Sequence, residues 1–236
     1  MTLRKFINST AYAPTFLPSV YTHGFNSYNN PSVTKIKICG ITNVEDALLA
    51  VELGADALGF IFYRESKRYI RPERAHEIIS KLPPFVTTVG VFVNQELDEI
   101  KNIKEEAGFD LFQLHGDESP DFCKRLGRGV IKTIRVRGSI NPEEIESYPV
   151  QTVLFDTYST KGYGGTGESF RWKVLKGLNS SKRIILSGGL SPENVSQAIR
   201  IVNPYGVDVS SGVEDYPGKK NPQRLKKFIE AARNET

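Results

Sequence analysis

The chain reads as an α/β protein, a single (β/α)8 barrel of the TIM type preceded by an N-terminal extension expected to be disordered. Three observations predict this. From Lys35 onward, short apolar runs rich in β-branched residues alternate with longer amphipathic runs, the pattern of a parallel sheet linked by helical crossovers. The alternation repeats eight times, and a barrel of eight such units commonly takes about 250 residues. Finally, Pro72, Pro120, Pro142, Pro192 and Pro222 each stand just inside the start of an expected helix, where a missing N–H costs nothing.

The expected strands are residues 35–39, 57–62, 86–93, 109–114, 130–136, 152–156, 183–187 and 206–209. The first helix should start with Asn43 as N-cap and Asp46 at its third position, and stop at Gly54, a natural residue to follow a helix end. The fifth helix, around Glu143 to Glu146, looks unusually short, whereas the seventh continues through Val195, Ala198, Ile199 and Val202 at helical spacing. An open doubly wound sheet is the structural alternative. It would usually bind a nucleotide through a Gly-rich turn after its first strand, and Cys39-Gly40-Ile41-Thr42 has no G-x-G-x-x-G pattern.

Residues 1–33 are a different kind of sequence, rich in Asn, Ser, Thr, Tyr and Pro and without Asp or Glu. They are expected to form an extension outside a barrel of residues 34–236. Arg4, Lys5 and the hydroxyl-rich composition resemble an organellar targeting peptide, but Arg-rich amphipathic character is missing. A start site placed too far upstream is the simpler expectation: Met1 is the one methionine, and Val33, which a GTG start codon could supply, stands just ahead of the first strand.

Composition bounds the function. With 236 residues, 39% hydrophobic and 25% charged, and no apolar run near the roughly 18 to 20 residues of a membrane span, the chain reads as globular and not membrane-bound. The net charge of +4 is spread among interspersed acids and bases with no aromatic-basic stripe, which argues against nucleic acid and fits a small phosphorylated ligand. Two cysteines, Cys39 and Cys123, give neither a disulfide framework nor metal spacing. A free thiol implies a reducing, cytoplasmic location. The expected partner is thus a small-molecule substrate, bound by a monomer or homodimer.

Functional groups of such a barrel collect at the C-terminal ends of its strands. Cys39 ends the first strand, on the same face as Lys37, and a nearby cation favours a thiolate. A buried thiol is more often a small hydrophobe, so position is what singles Cys39 out. Asp156 ends the sixth strand, where partial withdrawal from water suits a carboxyl to donate a proton. Ser187-Gly188-Gly189-Leu190 after the seventh strand and Ser210-Ser211-Gly212-Val213 after the eighth occupy the two loops in which barrels commonly hold phosphate. A third cluster, Gly162-Tyr163-Gly164-Gly165-Thr166-Gly167, suggests a mobile loop that closes over a ligand and adds the backbone N–H groups of Gly165 and Gly167, or else a long flexible connection.

Taken in order, Lys37-Ile38-Cys39-Gly40-Ile41-Thr42, Ser66-Lys67-Arg68-Tyr69, Val91-Phe92-Val93-Asn94, Gln113-Leu114-His115-Gly116, Phe155-Asp156-Thr157, Gly164-Gly165-Thr166-Gly167, Leu186-Ser187-Gly188-Gly189-Leu190 and Asp208-Val209-Ser210-Ser211-Gly212-Val213-Glu214 resemble the phosphoribosylanthranilate isomerases of tryptophan biosynthesis. The resemblance implies a barrel aldose–ketose isomerase that performs an Amadori rearrangement without metal or organic cofactor. It makes Asp156 the acid that opens the ribose ring and Cys39 the base at C2. Arg68 would grip the anthranilate carboxylate through its planar fork, though alone it would pass for a surface arginine. Gln113 and His115 share a face and point toward the same mouth, in contact with substrate or as rim residues. Glu214 would hold a sugar hydroxyl or Lys37, unless it is simply solvated. Two rivals remain: the related histidine-pathway isomerase, which has an aspartate where this chain has Cys39, and a non-catalytic phosphate-binding barrel, against which the retained Cys39 and Asp156 argue.

Overall fold

A computed structural model describes residues 33–157, 172–178 and 180–235. Eight parallel strands close into a barrel: β1 (Lys35–Cys39), β2 (Ala57–Ile61), β3 (Thr87–Phe92), β4 (Leu111–Leu114), β5 (Val130–Val136), β6 (Thr152–Thr157), β7 (Arg183–Leu186) and β8 (Gly206–Val209). Each pairs with its neighbours in sequence, and β8 closes the ring by pairing with β1, Lys35 opposite Gly206. The helices are α1 (Val44–Glu52), α2 (Pro72–Ile79), α3 (Leu97–Ala107), α4 (Pro120–Leu126), α5 (Pro142–Ser147), α6 (Val195–Val202) and α7 (Pro222–Arg233). None of them is long and apolar enough to cross a membrane.

Period-two alternation explains the layers. Residues facing out of the barrel, such as Ile36, Ile38, Leu58, Phe60, Phe92, Val153, Phe155 and Val207, are buried against the helices in one continuous core. Around Phe92 the rings of Phe62, Phe109 and Phe112 stack or meet edge-on with centroids 5.3 to 6.4 Å apart. Inside the barrel, Val89, Ile131, Leu154 and Ile185 make a separate apolar floor. Two residues further along their strands the inward positions turn polar: Leu154 gives way to Asp156, Ile131 to Thr133 and Ile185 to Ser187. That change lifts the functional groups to the C-terminal mouth.

Local signals account for the helix ends. Asn43 caps α1 by accepting from the Asp46 N–H, and Gly54 follows the helix with φ +102°, as expected. Pro72, Pro120, Pro142 and Pro222 open α2, α4, α5 and α7. Pro192 does not open α6: it lies in a turn, and the helix starts only after Asn194, whose side chain closes that turn by bonding Ser191 N and Gly189 O. Strand four is shorter than expected because Asp110 ties β3 instead, its carboxylate accepting from the N–H and hydroxyl of Thr88 at 2.7 and 2.8 Å.

Two features were not anticipated. After β8 comes a short antiparallel hairpin, β9 (Glu214–Tyr216) with β10 (Lys219–Lys220), seated over the first βα loop through the Thr42 hydroxyl, which donates to Gly218 O at 2.5 Å. At the opposite end, Arg233 of α7 donates to Thr34 O, Gly54 O and Asp56, clasping the start of β1. Asp56 also accepts from the Ile36 N–H and pairs with Lys35.

Candidate active site at the C-terminal mouth

Cys39 is the last residue of β1, buried, opposite Gly59 of β2. Lys37, one inward position below it, stands beside the thiol next to Gly59 and pairs with Asp208 of β8 at 2.9 Å. The expected support of the thiolate by Lys37 is therefore partial. Burial pushes the Cys39 thiol above its ordinary value; Lys37 pulls it down, Asp208 pushes it up again, and Lys220 pulls it down. Asp208 is a functional candidate that the sequence reading passed over, although a carboxylate between Val207 and Val209 in an apolar strand was a visible signal.

Asp156 stands on β6, three strands around the ring from Cys39. One carboxylate oxygen accepts the Thr157 N–H at 2.7 Å; the other lies 3.0 Å from His115 Nε2. Gln113 Nε2 lies 3.0 Å from His115 Nδ1 and its Oε1 has no hydrogen-bond partner among the described residues. Turning that amide over would let Gln113 Oε1 accept from His115 Nδ1–H, leaving His115 Nε2 to accept from a protonated Asp156. The pair can thus serve either protonation state of the acid. Gln113, His115 and Asp156 are brought together as one chain of side chains.

Arg68, in the loop after β2, is buried, and its Nε and Nη2 grip Glu214 at 3.0 and 2.7 Å. Glu214 also accepts from Lys220 Nζ at 2.8 Å and the Gly218 N–H at 3.3 Å. These bonds hold its carboxyl below the ordinary range against the upward push of burial. The expectation that Glu214 would hold Lys37 is corrected: Asp208 holds Lys37, and Glu214 holds Arg68 and Lys220. Lys220 was missed entirely, because Lys219-Lys220 reads as a solvated pair and only the hairpin turns the second lysine inward.

Both loops expected to hold phosphate lie at the same mouth. Gly188 and Gly189 have φ +84° and +67°, and a Cβ on Gly188 would overlap Thr157 and stand 3.1 Å from Asp156 Oδ1. Glycine there lets the β7 loop pass directly beside the acid. Gly212 packs against the Leu190 carbonyl so closely that a Cβ would overlap it, which joins this loop to its neighbour and is also a structural reason for that glycine. Ser210 Oγ is buried with no partner among the described residues, an unspent hydroxyl in the β8 loop beside Ser211. Gly165 and Gly167, with the rest of their cluster, lie outside the described residues.

Comparison with known proteins agrees with this geometry. The family model for N-(5'-phosphoribosyl)anthranilate isomerase matches residues 36–231. N-(5'-phosphoribosyl)anthranilate isomerase of Citrifermentans bemidjiense is 52% identical over 201 residues, covering 85% of this chain and 98% of that protein. The crystal structure of phosphoribosyl anthranilate isomerase from Thermus thermophilus matches 86% of this chain and 100% of its own, with TM-score 0.80 and 40% identity. A phosphoribosyl anthranilate isomerase solved in complex with reduced 1-(o-carboxyphenylamino)-1-deoxyribulose 5-phosphate matches the same shares with TM-score 0.77 and 43% identity. With the eight-stranded barrel, the matched span and these relatives together, the chain belongs to the phosphoribosylanthranilate isomerase family.

Proposed function

We propose that the protein converts N-(5-phosphoribosyl)anthranilate to 1-(2-carboxyphenylamino)-1-deoxyribulose 5-phosphate, the aldose–ketose step of tryptophan biosynthesis, with Asp156 as general acid and Cys39 as general base. The observation that carries the reading is the placement of one carboxyl and one thiol on separate strands of the same mouth, above an apolar floor and beside two phosphate-type loops.

Asp156 gives its proton to the furanose ring oxygen, and the ring opens to an iminium. The His115–Gln113 chain supports the acid before and after that transfer. Cys39, as thiolate, then removes the proton from C2 to give an enolamine, which tautomerises to the ketose. The iminium withdraws electrons from that C–H bond, so a thiolate of modest basicity suffices. Arg68 offers the anthranilate carboxylate its Nη1 edge while Glu214 fixes the other edge. The N–H groups around Gly188, Gly189, Ser211 and Gly212, with the Ser210 hydroxyl, receive the phosphate, and Gly165 and Gly167 add donors from the loop after β6. Lys37 stays near the sugar through its bond to Asp208. A relative that holds a reduced carboxyphenylamino-deoxyribulose phosphate supports a ligand of this class for this chain.

Residues 34–236 form the catalytic domain and 1–33 an extension to it; the relatives account for nearly all of their own length with 201 residues of this chain. The free Cys39 suits a reducing, cytoplasmic setting. The test is consumption of freshly prepared phosphoribosylanthranilate, followed by its fluorescence, in the parent and in Cys39→Ser and Asp156→Asn. Turnover by the parent and its loss in both variants is expected. A parent that binds the product phosphate without turning substrate over is a binding barrel, not an isomerase.

A further inference from the structure

We infer that Lys220, carried by the hairpin outside the barrel, is the positioning residue that joins the base, the phosphate loop and the carboxylate-binding arginine into one unit. This deepens the proposed function and rests on it. The Nζ of Lys220 is wholly buried and has three acceptors: Cys39 O at 2.6 Å, Glu214 Oε1 at 2.8 Å and Ser210 O at 3.4 Å. Three acceptors for one nitrogen suit an ammonium, which has three protons to donate and no lone pair. Burial depresses its pKa and Glu214 pushes back.

Each acceptor belongs to a different part of the proposed chemistry. The Cys39 carbonyl ends the strand that presents the thiol. The Ser210 carbonyl opens the β8 phosphate loop. Glu214 holds the Arg68 fork. The hairpin that delivers Lys220 is itself pinned to the barrel: Asp46 of α1 accepts from the Lys220 N–H at 2.7 Å and from Lys219 Nζ at 2.5 Å.

Charge bookkeeping around the thiol points the same way. On β1 and β8, Lys37 and Asp208 cancel. From the hairpin and the β2 loop come Lys220, Arg68 and Glu214, two cations on one carboxylate. Lys37 also draws the thiol down, but its charge is shared with Asp208; the surplus positive charge beyond that pairing resides in the Lys220–Arg68 pair. Lys220 is the member of that pair that touches the Cys39 residue.

The experiment compares the parent with Lys220→Met, which deletes charge and donors, and Lys220→Gln, which keeps a neutral donor. Two readouts are taken: the pH midpoint of Cys39 alkylation by iodoacetamide, with the modified peptide identified by mass so that Cys123 is not counted, and kcat and KM for phosphoribosylanthranilate. Folding is monitored by circular dichroism. In both variants the Cys39 midpoint moves up by about one unit or more. kcat/KM falls about 100-fold in Lys220→Met, as when one preorganised donor is removed, and less in Lys220→Gln. A folded variant with the parent's midpoint and kcat overturns the inference, and so does failure of both to fold, which would make Lys220 a purely structural residue. An inactive parent would instead sink the proposed function, because the alkylation midpoint needs no turnover to be read.

Discussion

At the C-terminal mouth of the barrel Lys37 meets Asp208, Arg68 meets Glu214 and His115 meets Asp156, all with side chains almost wholly buried. At the N-terminal mouth Lys35, Asp56 and Arg233 make their pairs in part-exposed positions beside a cavity of about 580 Å³ whose rim carries Phe85, 98% exposed. The same eight strands build both ends. Removing an ion from water costs several kcal/mol even after relaxation, and a buried pair repays this only with very good geometry. Stability alone would not put two such ion pairs, Lys37–Asp208 and Arg68–Glu214, within one mouth. Their concentration there marks the end at which charge must be held ready for a reaction, whereas the other end has only to close the ring.

Substitutions at the two mouths should therefore separate activity from stability. The largest expected effect is that of Asp156→Asn, which removes the proposed acid and lowers kcat on the order of 10³-fold while leaving the melting temperature close to the parent's; near-normal turnover by this variant would remove Asp156 from the mechanism. Next comes Gly59→Ala. Its new Cβ would stand 2.7 Å from Cys39 Sγ and 3.2 Å from Cys39 Cα, so the thiol must shift and kcat should fall about 100-fold. Measured kcat equal to the parent's would show that the thiol's position is not critical.

The pH profile is a subtler probe of the same end. Burial raises the Cys39 pKa, so the base is protonated through acid and neutral pH, and kcat/KM should climb about tenfold per pH unit toward that raised value before levelling. A plateau extending to acid pH contradicts a thiolate base. The smallest effect belongs to the other mouth. Asp56 is half-buried, and its bonds to Ile36 N, Lys35 and Arg233 hold its carboxyl below the ordinary range. Asp56→Ala should lower stability by about 1 kcal/mol in a denaturant titration without changing kcat. For the parent, this contribution is present above the unfolded-state carboxylate value and fades as pH falls through the depressed folded one. A loss of activity at unchanged stability would break the contrast between the two ends.

Much of this architecture was legible in the linear order of residues, for a physical reason. Strands closed into a barrel are short and mostly apolar at their helix-facing positions, so the bounds of β1, β5 and β8 could be read to the residue even though each carries charged residues as well. Cys39 and Asp156 stood out because each ends such a run. What was not legible depends on partners distant in sequence. Nothing near Lys37 announces Asp208, 171 positions away, as its partner. Lys219 and Lys220 are chemically identical, and only the pleat of a two-residue strand sends one to Asp46 at a part-exposed edge and the other to the Cys39 carbonyl. Pro192 carried the right signal for a helix start, yet Asn194 took the local hydrogen bonds first and delayed the helix to Val195.

The clasp of Arg233 on Thr34 joins residues 199 positions apart, and β1 gains its second neighbour only when Gly206 and the residues after it pair with it. Translation delivers those partners in the wrong order. During synthesis the first strand waits with one bare edge until nearly all the remaining chain has left the ribosome, so its growing form resembles an open ribbon whose free margin invites foreign strands. Closure is a late event with large separation between contacts, the kind that slows folding. The stave that carries the proposed base is therefore the first to be made and among the last to be locked in place.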